Sequence, residues 1–316
     1  MKRLFLSVTL IAATALMFTG CGNKNSNKAG GNDSVQAVAD GADATAEAKD
    51  AAEGWPWDYP SDVKPDAKVG QTVLCPHLYA DKIKNNKPNK EDGVYIYYTC
   101  KLLSLGDKTS KIETAGGSEY EIPNTLILPI PEGQTAKKGD IVLTWWQGGS
   151  GMQTAIVTDA SDPTQPTASF LGLNWKLKSD GTVDEAFKRG AKLKPNSFFV
   201  LKDGEVSVGQ RVRYYKKNDW GGDDEWAEAT IVSISGDKAL LCAFANTLKV
   251  AKLSDIKPIP FHQNIKAGDT VYGIFTSTFQ KDYHVDKVDN NEGRVWVTTP
   301  HNDKKILNIL QVLKSL

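Results

Sequence analysis

The pattern of apolar positions divides the chain into three parts. Residues 4–18 form a mostly apolar run, whereas residues 22–53 contain only Val35 and Val38 as large apolar side chains. A segment that buries so little apolar surface does not fold on its own, so we expect a flexible tether there. After residue 64, apolar residues recur in short alternating or β-branched runs separated by turn signals, which predicts strands joined as hairpins.

A glycine-centred motif recurs after residue 64. Glycine, then Gln or Asp, then any residue, then Val occurs four times, with the glycine at Gly70, Gly139, Gly209 and Gly268. These glycines are about 60–70 residues apart, so each copy of the motif begins one supersecondary unit. Each motif is followed by two further strand-like runs with a turn between them, for example residues 229–234 and 238–244 around Gly236.

The order of glycine turn, long bent strand, two successive hairpins and short closing strand predicts an all-β chain with four tandem, five-stranded SH3-like barrels. We therefore divide the sequence into a signal peptide, a lipidated cysteine with its tether, and barrel copies one to four: residues 1–20, 21–64, 65–131, 132–203, 204–260 and 261–316, in that order. A larger β-sandwich whose hairpins resemble one another is the alternative.

Copy three resembles the Tudor family of SH3-like domains. The shared features are the Val-Gly-x-x-Val start at Val208, residues 229–231 and the tail of residues 253–258. Members of that family often bind methylated lysine or arginine in an aromatic cage, because ring faces attract a weakly hydrated cation. The resemblance implies that the cage positions of this chain are Tyr215 or Lys216, Trp226 and Phe244, with Thr247 where a fourth ring is often found.

Further tryptophans are candidate ligand contacts. Trp145 and Trp146 precede a glycine-rich loop, Trp175 follows the third strand of copy two, and Trp220 stands beside acidic residues in copy three. Exposed tryptophans in such places stack on sugars or peptides, whereas buried ones brace one barrel against the next. Both interpretations stay open, as they do for the aromatic segment at residues 55–59, which is a recognition strip or a structural anchor.

The start of the chain resembles a bacterial lipoprotein signal. Lys2 and Arg3 precede an apolar run that is shorter than the about 20 residues of a membrane span, and small residues lead to Cys21. The resemblance implies cleavage before Cys21 and a lipid anchor, including palmitate, on that residue. Because Gly22 is not aspartate, it also implies an envelope location, at the outer membrane facing the periplasm in a Gram-negative cell. An ordinary secretory signal with a chance cysteine is the alternative.

The positions of two cysteines predict a disulfide in copy one. Cys75 lies two residues after the core position Val73, and Cys100 begins the second strand, so pairing of these strands predicts a disulfide; two buried thiols are the alternative.

Lys plus Arg and Asp plus Glu both number 38, and the formal net charge is +0. A neutral chain lacks the basic surface that phosphates attract, so we expect no nucleic-acid partner.

Motifs of catalysis are not found in the sequence. The four histidines are scattered without the spacing of zinc ligands, and neither a nucleophile elbow nor a phosphate-binding glycine loop is present. We therefore expect a non-catalytic envelope adaptor, without metal or cofactor, that binds a protein, peptide or glycan through loops between barrels. A purely structural spacer and an enzyme with a site between barrels are the alternatives.

Overall fold

The described part of the chain is all-β, as the alternating runs predict. The structure is a computed structural model that describes residues 55–77, 93–147, 150–217 and 225–316. Within these residues the only helical elements are short 3-10 turns, at Asn124–Leu126, Glu185–Phe187, Phe244–Asn246, Leu253–Asp255 and Ile309–Gln311. The predicted signal peptide, Cys21, the tether as far as residue 54, and Trp220 lie outside the described residues.

Copies one and two each form a five-stranded antiparallel sheet. The strands of copy one are β1 Thr72–Cys75, β2 Tyr98–Leu105, β3 Thr109–Thr114, β4 Glu119–Pro123 and β5 Leu128–Pro129. Those of copy two are β6 Ile141–Trp146, β7 Ser150–Asp159, β8 Thr167–Phe170, β9 Gly190–Lys192 and β10 Phe199–Val200. The orders are β4-β3-β2-β1-β5 and β10-β6-β7-β8-β9, so in both copies the last strand pairs with the first.

Copies three and four repeat this strand order within one larger sheet. The strands of copy three are β11 Arg211–Lys216, β12 Glu225–Ser235, β13 Lys238–Ala243, β14 Leu248–Lys252 and β15 Ile256–Pro258. Those of copy four are β16 Thr270–Phe275, β17 Thr278–Asp289, β18 Arg294–Thr298, β19 Lys304–Asn308 and β20 Val312–Leu313. A bridge between Ala227 on β12 and Thr278 on β17 joins the two ladders.

The recurring glycine makes the same turn in every copy. Its φ angle lies on the positive side, where a residue with a Cβ is strained: Gly70 +91°, Gly139 +91°, Gly209 +86° and Gly268 +89°. Each glycine donates its N–H to the second strand of its copy, to the carbonyls of Leu102, Val157, Ile231 and Val285 respectively. The register of that strand shifts immediately after the accepting residue in all four copies. The motif therefore marks the place where the long strand bends.

The sheets are open, and the closed barrels expected from the sequence are not formed. Within the described residues no ladder joins β4 to β5 or β9 to β10, and the equivalent ends in copies three and four are likewise unpaired. The closing strands are very short, since β5, β10 and β20 have two residues each and β15 has three. Such strands form too few hydrogen bonds to hold a second neighbour.

Two kinds of apolar core hold the copies. Copies one, two and three each contain a private core, and a larger common core is built from their other faces, the aromatic segment and copy four. On β1, for example, Val73 belongs to the private core and its neighbour Leu74 to the common core. Because successive side chains of a strand point to opposite faces, the first three ladders are apolar on both faces. Each of these ladders therefore has one face on its private core and the other face on the common core.

The aromatic segment at residues 55–59 is an anchor between copies one and three. Its rings are buried, with exposed fractions of 9% for Trp55, 4% for Trp57 and 6% for Tyr59. The ring of Trp57 meets that of Tyr95 in copy one edge-on at 5.2 Å between centroids. The hydroxyl of Tyr59 donates to the Ser233 hydroxyl in copy three at 3.1 Å. This burial favours the anchor interpretation over an exposed recognition strip.

Candidate functional site

The predicted aromatic residues do not meet in one place. Trp145 packs on the common core, and Trp146 packs on the private core of copy two, where its ring centroid lies 4.6 Å from that of Phe170. Trp175 is 5% exposed, and Trp220 lies outside the described residues. The described tryptophans of copy two therefore contribute to packing, which leaves copy three as the place to look for a cage.

The cage that the Tudor resemblance implies is incomplete in copy three. Tyr215 and Trp226 stand opposite each other on β11 and β12, with ring centroids 5.6 Å apart and planes at 65°. Phe244 is 51% exposed and makes no ring contact with Trp226. It lines a cavity to which neither Tyr215 nor Trp226 contributes. Two rings at an edge-on angle enclose a cation on one side only.

The ring of Trp226 already carries two cations of the protein itself. Lys257 Nζ lies 4.7 Å and the guanidinium carbon of Arg213 lies 5.5 Å from the ring centroid. A methylated cation would have to displace Lys257 and then stay close to a like charge on Arg213. Other rings are covered in the same way: Trp175 by Arg294 at 4.8 Å, Trp296 by Lys287 at 4.6 Å and Phe275 by Lys305 at 5.1 Å. These contacts disfavour a cationic ligand.

A polar cleft lies where copies two, three and four meet. It is a cavity of about 310 Å³, which we call the central cleft. Each of the three copies contributes polar side chains to its wall, among them Gln153 and Asn174 from copy two, Arg211 and Glu228 from copy three, and Asn308 and Gln311 from copy four. The cleft therefore depends on the packing of several ladders within one compact unit.

A partly buried ion pair lines the central cleft. Arg211 on β11 and Glu228 on β12 form it, with side chains that are 16% and 17% exposed. The guanidinium also donates to the Thr230 hydroxyl at 3.0 Å. Arg211 Nε and the buried Oε1 of Gln153 have no hydrogen-bond partner among the described residues. The wall of the cleft thus contains an ion pair, and two buried polar atoms of its lining residues lack a protein partner.

Cys242 also lines the central cleft, but its thiol is not an activated nucleophile. The side chain is 4% exposed, and burial raises the pKa of Cys242 to about 12. At neutral pH the thiol is therefore protonated, and the thiolate is the reactive form. Among the described residues, no three His, Cys, Asp or Glu side chains are grouped as metal ligands.

The rim of the central cleft has a strained backbone. Phe244, Asn246 and Thr276 line the cavity, and φ is +57° at Asn246 and +56° at both Ala245 and Thr276. Left-handed backbone costs on the order of 1–3 kcal/mol at a non-glycine residue, and it is unusual at a β-branched threonine. Copy one holds this loop, because the Tyr95 N–H donates to the Asn246 carbonyl at 2.7 Å. Strain of this kind tends to cluster at binding sites.

Sequence reasoning identified Phe244 but missed the charged residues of the central cleft. Arg211 occupies the variable position of the glycine motif, where the other copies have uncharged residues: Thr72, Ile141 and Thr270. A charged residue at that position in only one of the four copies could have identified Arg211 from the sequence. Its partner Glu228 was not identifiable, because the register between β11 and β12 is needed to bring the two together.

The two cysteines predicted to form a disulfide lie side by side in the private core of copy one. The sulfur atoms of Cys75 and Cys100 are 3.2 Å apart, and both residues are buried free thiols. Burial and the neighbouring sulfur raise the pKa of Cys75 well above its ordinary value. The pairing of β1 with β2 thus brings the thiols together as expected, and the bond itself stays a prediction.

No protein-family model matches this chain. A search of the curated proteins finds no significant match either. In the part of the chain that the structure describes, no helix is both long and apolar enough to cross a membrane. The central cleft and the residues around it are therefore what points to a function.

Proposed function

We propose that this chain is a non-catalytic binding adaptor of the bacterial cell envelope, whose ligand occupies the central cleft. One observation carries the proposal: residues of three copies line a single polar cavity that no copy has alone. Ligand sites form preferentially in concave places between packed units. A spacer, by contrast, needs contacts between neighbouring copies but no shared polar cavity.

The polar atoms of the cleft favour a ligand that both donates and accepts hydrogen bonds. The amide side chains of Asn174 and Gln311 line the cavity, and an amide both donates and accepts hydrogen bonds. The Arg211–Glu228 pair adds a charged donor and a charged acceptor to the wall. Peptide amides and sugar hydroxyls both have this character, so the candidate partners are a protein, a peptide or a glycan. The cations over the aromatic rings make a methylated peptide a poor candidate.

We also propose that each ladder is an open SH3-like unit of the Tudor-like type. The support is that the last strand pairs with the first in all four copies and that the second strand bends at the same place. A 3-10 turn also precedes the closing strand in copies one, three and four.

The proposed membrane attachment is a lipid on Cys21, at the outer membrane facing the periplasm if the cell is Gram-negative. Its support is the order of basic residues, apolar run, small residues and cysteine in the sequence. The test compares the wild-type chain with Cys21→Ala in cells fed radiolabelled palmitate. We expect label and membrane fractionation for the wild type only. Label on the Cys21→Ala chain would refute the assignment.

The binding proposal is tested by photo-crosslinking in intact cells that produce the protein. Benzoylphenylalanine replaces Phe244 at the rim of the central cleft or, as a control, Val69, which is 64% exposed and belongs to copy one. We expect a discrete crosslinked species from position 244 and none from position 69. The same weak, diffuse crosslinking from both positions would favour the spacer alternative.

The alternatives make different demands on the same residues. A purely structural spacer accounts for the buried Trp55, Trp57 and Trp175 but not for the strained rim of the central cleft. An enzyme would need a free acid, base or nucleophile in the cleft. Glu228 is paired with Arg211 and the Cys242 thiol is protonated, so the described cleft residues disfavour this alternative.

A further inference from the structure

A groove between copies two and four lies beside the central cleft. Residues 174–177 of copy two form one wall, and residues 304–307, on β19 of copy four, form the other. The enclosed volume is about 310 Å³. Asn174 lines both the groove and the central cleft, so an extended chain lying in the groove would reach the cleft at one end.

One wall of the groove is the free edge of a sheet. Among the described strands, β19 pairs only with β18. Along an antiparallel ladder, residues that hydrogen-bond to the neighbouring strand alternate with residues that do not. Asp303 and Ile309 at the two ends of β19 both hydrogen-bond in the direction of β18, so Lys304 and Ile306 do not. The backbone N–H and C=O groups of Lys304 and Ile306 therefore point away from β18, and no described strand pairs with them. Lys304 is exposed, whereas Ile306 is only 3% exposed, so the edge is accessible at Lys304 and becomes buried towards Ile306.

The equivalent edge of copy three shows that shelter is not a general property of these ladders. β14 is the end strand of its ladder, as β19 is in copy four. Only Leu248 of its five residues is buried, whereas the last three residues of β19 are all buried. Charged residues on an edge commonly prevent aggregation, and this explanation suffices for Lys249 and Lys252 on the open β14. It does not account for a groove built along β19.

The groove has a positive charge. Three of its eight lining residues are lysines and none is acidic: Lys176, Lys304 and Lys305. Lys304 is paired with Asp286 at 2.9 Å, while Lys176 and Lys305 contact aromatic rings rather than carboxylates. A ligand that brings its own carboxylates would therefore be complementary to this surface.

We propose that the groove binds an extended acidic peptide segment of a partner protein, which adds a strand to β19. Backbone donors and acceptors repeated along an edge match a peptide in strand addition, and a glycan has no such regular series of amides. Acidic side chains of the added strand meet Lys176 and Lys304, and its end enters the central cleft at Asn174. This inference rests on the proposed adaptor function and names its class of partner.

The test uses the full chain in non-ionic detergent and a fluorescein-labelled decapeptide that alternates glutamate and valine, followed by fluorescence anisotropy. We expect binding that weakens by at least about tenfold for the double variant Lys176→Glu/Lys304→Glu. The matched control is Lys249→Glu/Lys252→Glu on β14, which should bind as the wild type does. Thermal melts followed by circular dichroism check that both variants are folded.

Two further peptides separate strand addition from charge attraction. A lysine–valine peptide and a glutamate–valine peptide N-methylated throughout should both bind at least about tenfold more weakly, the second because it has no backbone donors. Unchanged binding of the N-methylated peptide overturns strand addition. Equal weakening by both double variants overturns the groove as the site, and no binding of the first peptide overturns the proposal. Crosslinking from position 244 uses no such probe, so it reports on the adaptor function separately.

Discussion

Copies one and four have the same strand order but differ in what holds them together. Copy one has a private core around Val73, Leu102 and Ile112, in addition to the face that it turns towards the common core. The buried apolar residues of copy four, from Ile265 to Leu313, belong almost entirely to the common core. The same strand order thus occurs in one copy that has a core of its own and in another whose buried residues lie in the common core.

The close approach of copy two explains why the core of copy four is not separate. At Gly293, which has a φ of +59°, an added Cβ would lie 3.2 Å from side-chain atoms of Ile156 and Leu171 in copy two. The neighbouring Arg294 is fully buried and donates to the Phe170 carbonyl at 2.6 Å. Copy four is therefore held to copy two by packing and by a buried cation, whereas the private core of copy one consists of its own residues.

Truncation of the buried cation should give the largest effect. Arg294→Ala leaves a cavity beside Trp175 and removes the donors to copy two, so we expect a loss of about 3–5 kcal/mol in unfolding free energy. Arg294→Met keeps most of the packing and relieves the burial of a charge, so its loss should be smaller. Urea unfolding of both variants measures the difference. Equal losses would mean that packing does not join the two copies here.

Matched leucine truncations test the difference between the cores directly. Leu102 in the private core and Leu313 in the common core are both 0% exposed, and each change to alanine should cost about 2–5 kcal/mol. Leu313→Ala should lower the protection of amides in all copies, whereas Leu102→Ala should lower it in copy one alone. Hydrogen exchange followed by mass spectrometry reads this out. The same pattern for both variants would contradict the distinction.

Oxidation of the thiol pair should stabilise copy one selectively. Cys75 and Cys100 are 25 positions apart in the chain. A disulfide between them would constrain the unfolded segment and contribute about 3 kcal/mol in the chain-entropy model. We expect non-reducing peptide mass mapping of protein from an oxidising compartment to find the bridge, and reduction to lower protection in copy one. Cys75→Ser/Cys100→Ser is the control that should not respond to reductant. Free thiols in the native protein would refute the bridge.

Substitution of two motif glycines should give the smallest losses of stability. It compares the open surroundings of Gly70 in copy one with the packed surroundings of Gly209 in copy three. Gly70 and Gly209 have similar positive φ angles, but a Cβ at Gly70 meets nothing within 4 Å whereas one at Gly209 would lie 2.4 Å from the Phe199 ring. We expect Gly70→Ala to cost about 1 kcal/mol from backbone strain and Gly209→Ala to cost about 2 kcal/mol, because overpacking adds to the strain. Thermal unfolding midpoints should fall in that order. Equal midpoints would show that backbone strain alone matters.

Local features of the chain were predictable from the sequence. Alternating runs predicted strands, and the motif glycines predicted a turn that the positive φ angles confirm. The pairing of β1 with β2 brings Cys75 and Cys100 together as two positions in neighbouring strands required. The candidate site was predicted only in part: Phe244 lines the central cleft, whereas Tyr215 and Trp226 lie elsewhere beside Lys257.

The sequence by itself determined the all-β class, the repeated strand order and the glycine turn, because these depend on side-chain periodicity and on conformations within a few residues. Only the tertiary structure decided that the ladders stay open, that copy four lies in a common core and that three copies enclose a cleft. These features depend on contacts between distant positions, such as Arg294 with Phe170 across 124 residues and Tyr59 with Ser233 across 174. Local patterns do not specify such contacts, since many surfaces satisfy the same alternation of apolar and polar residues.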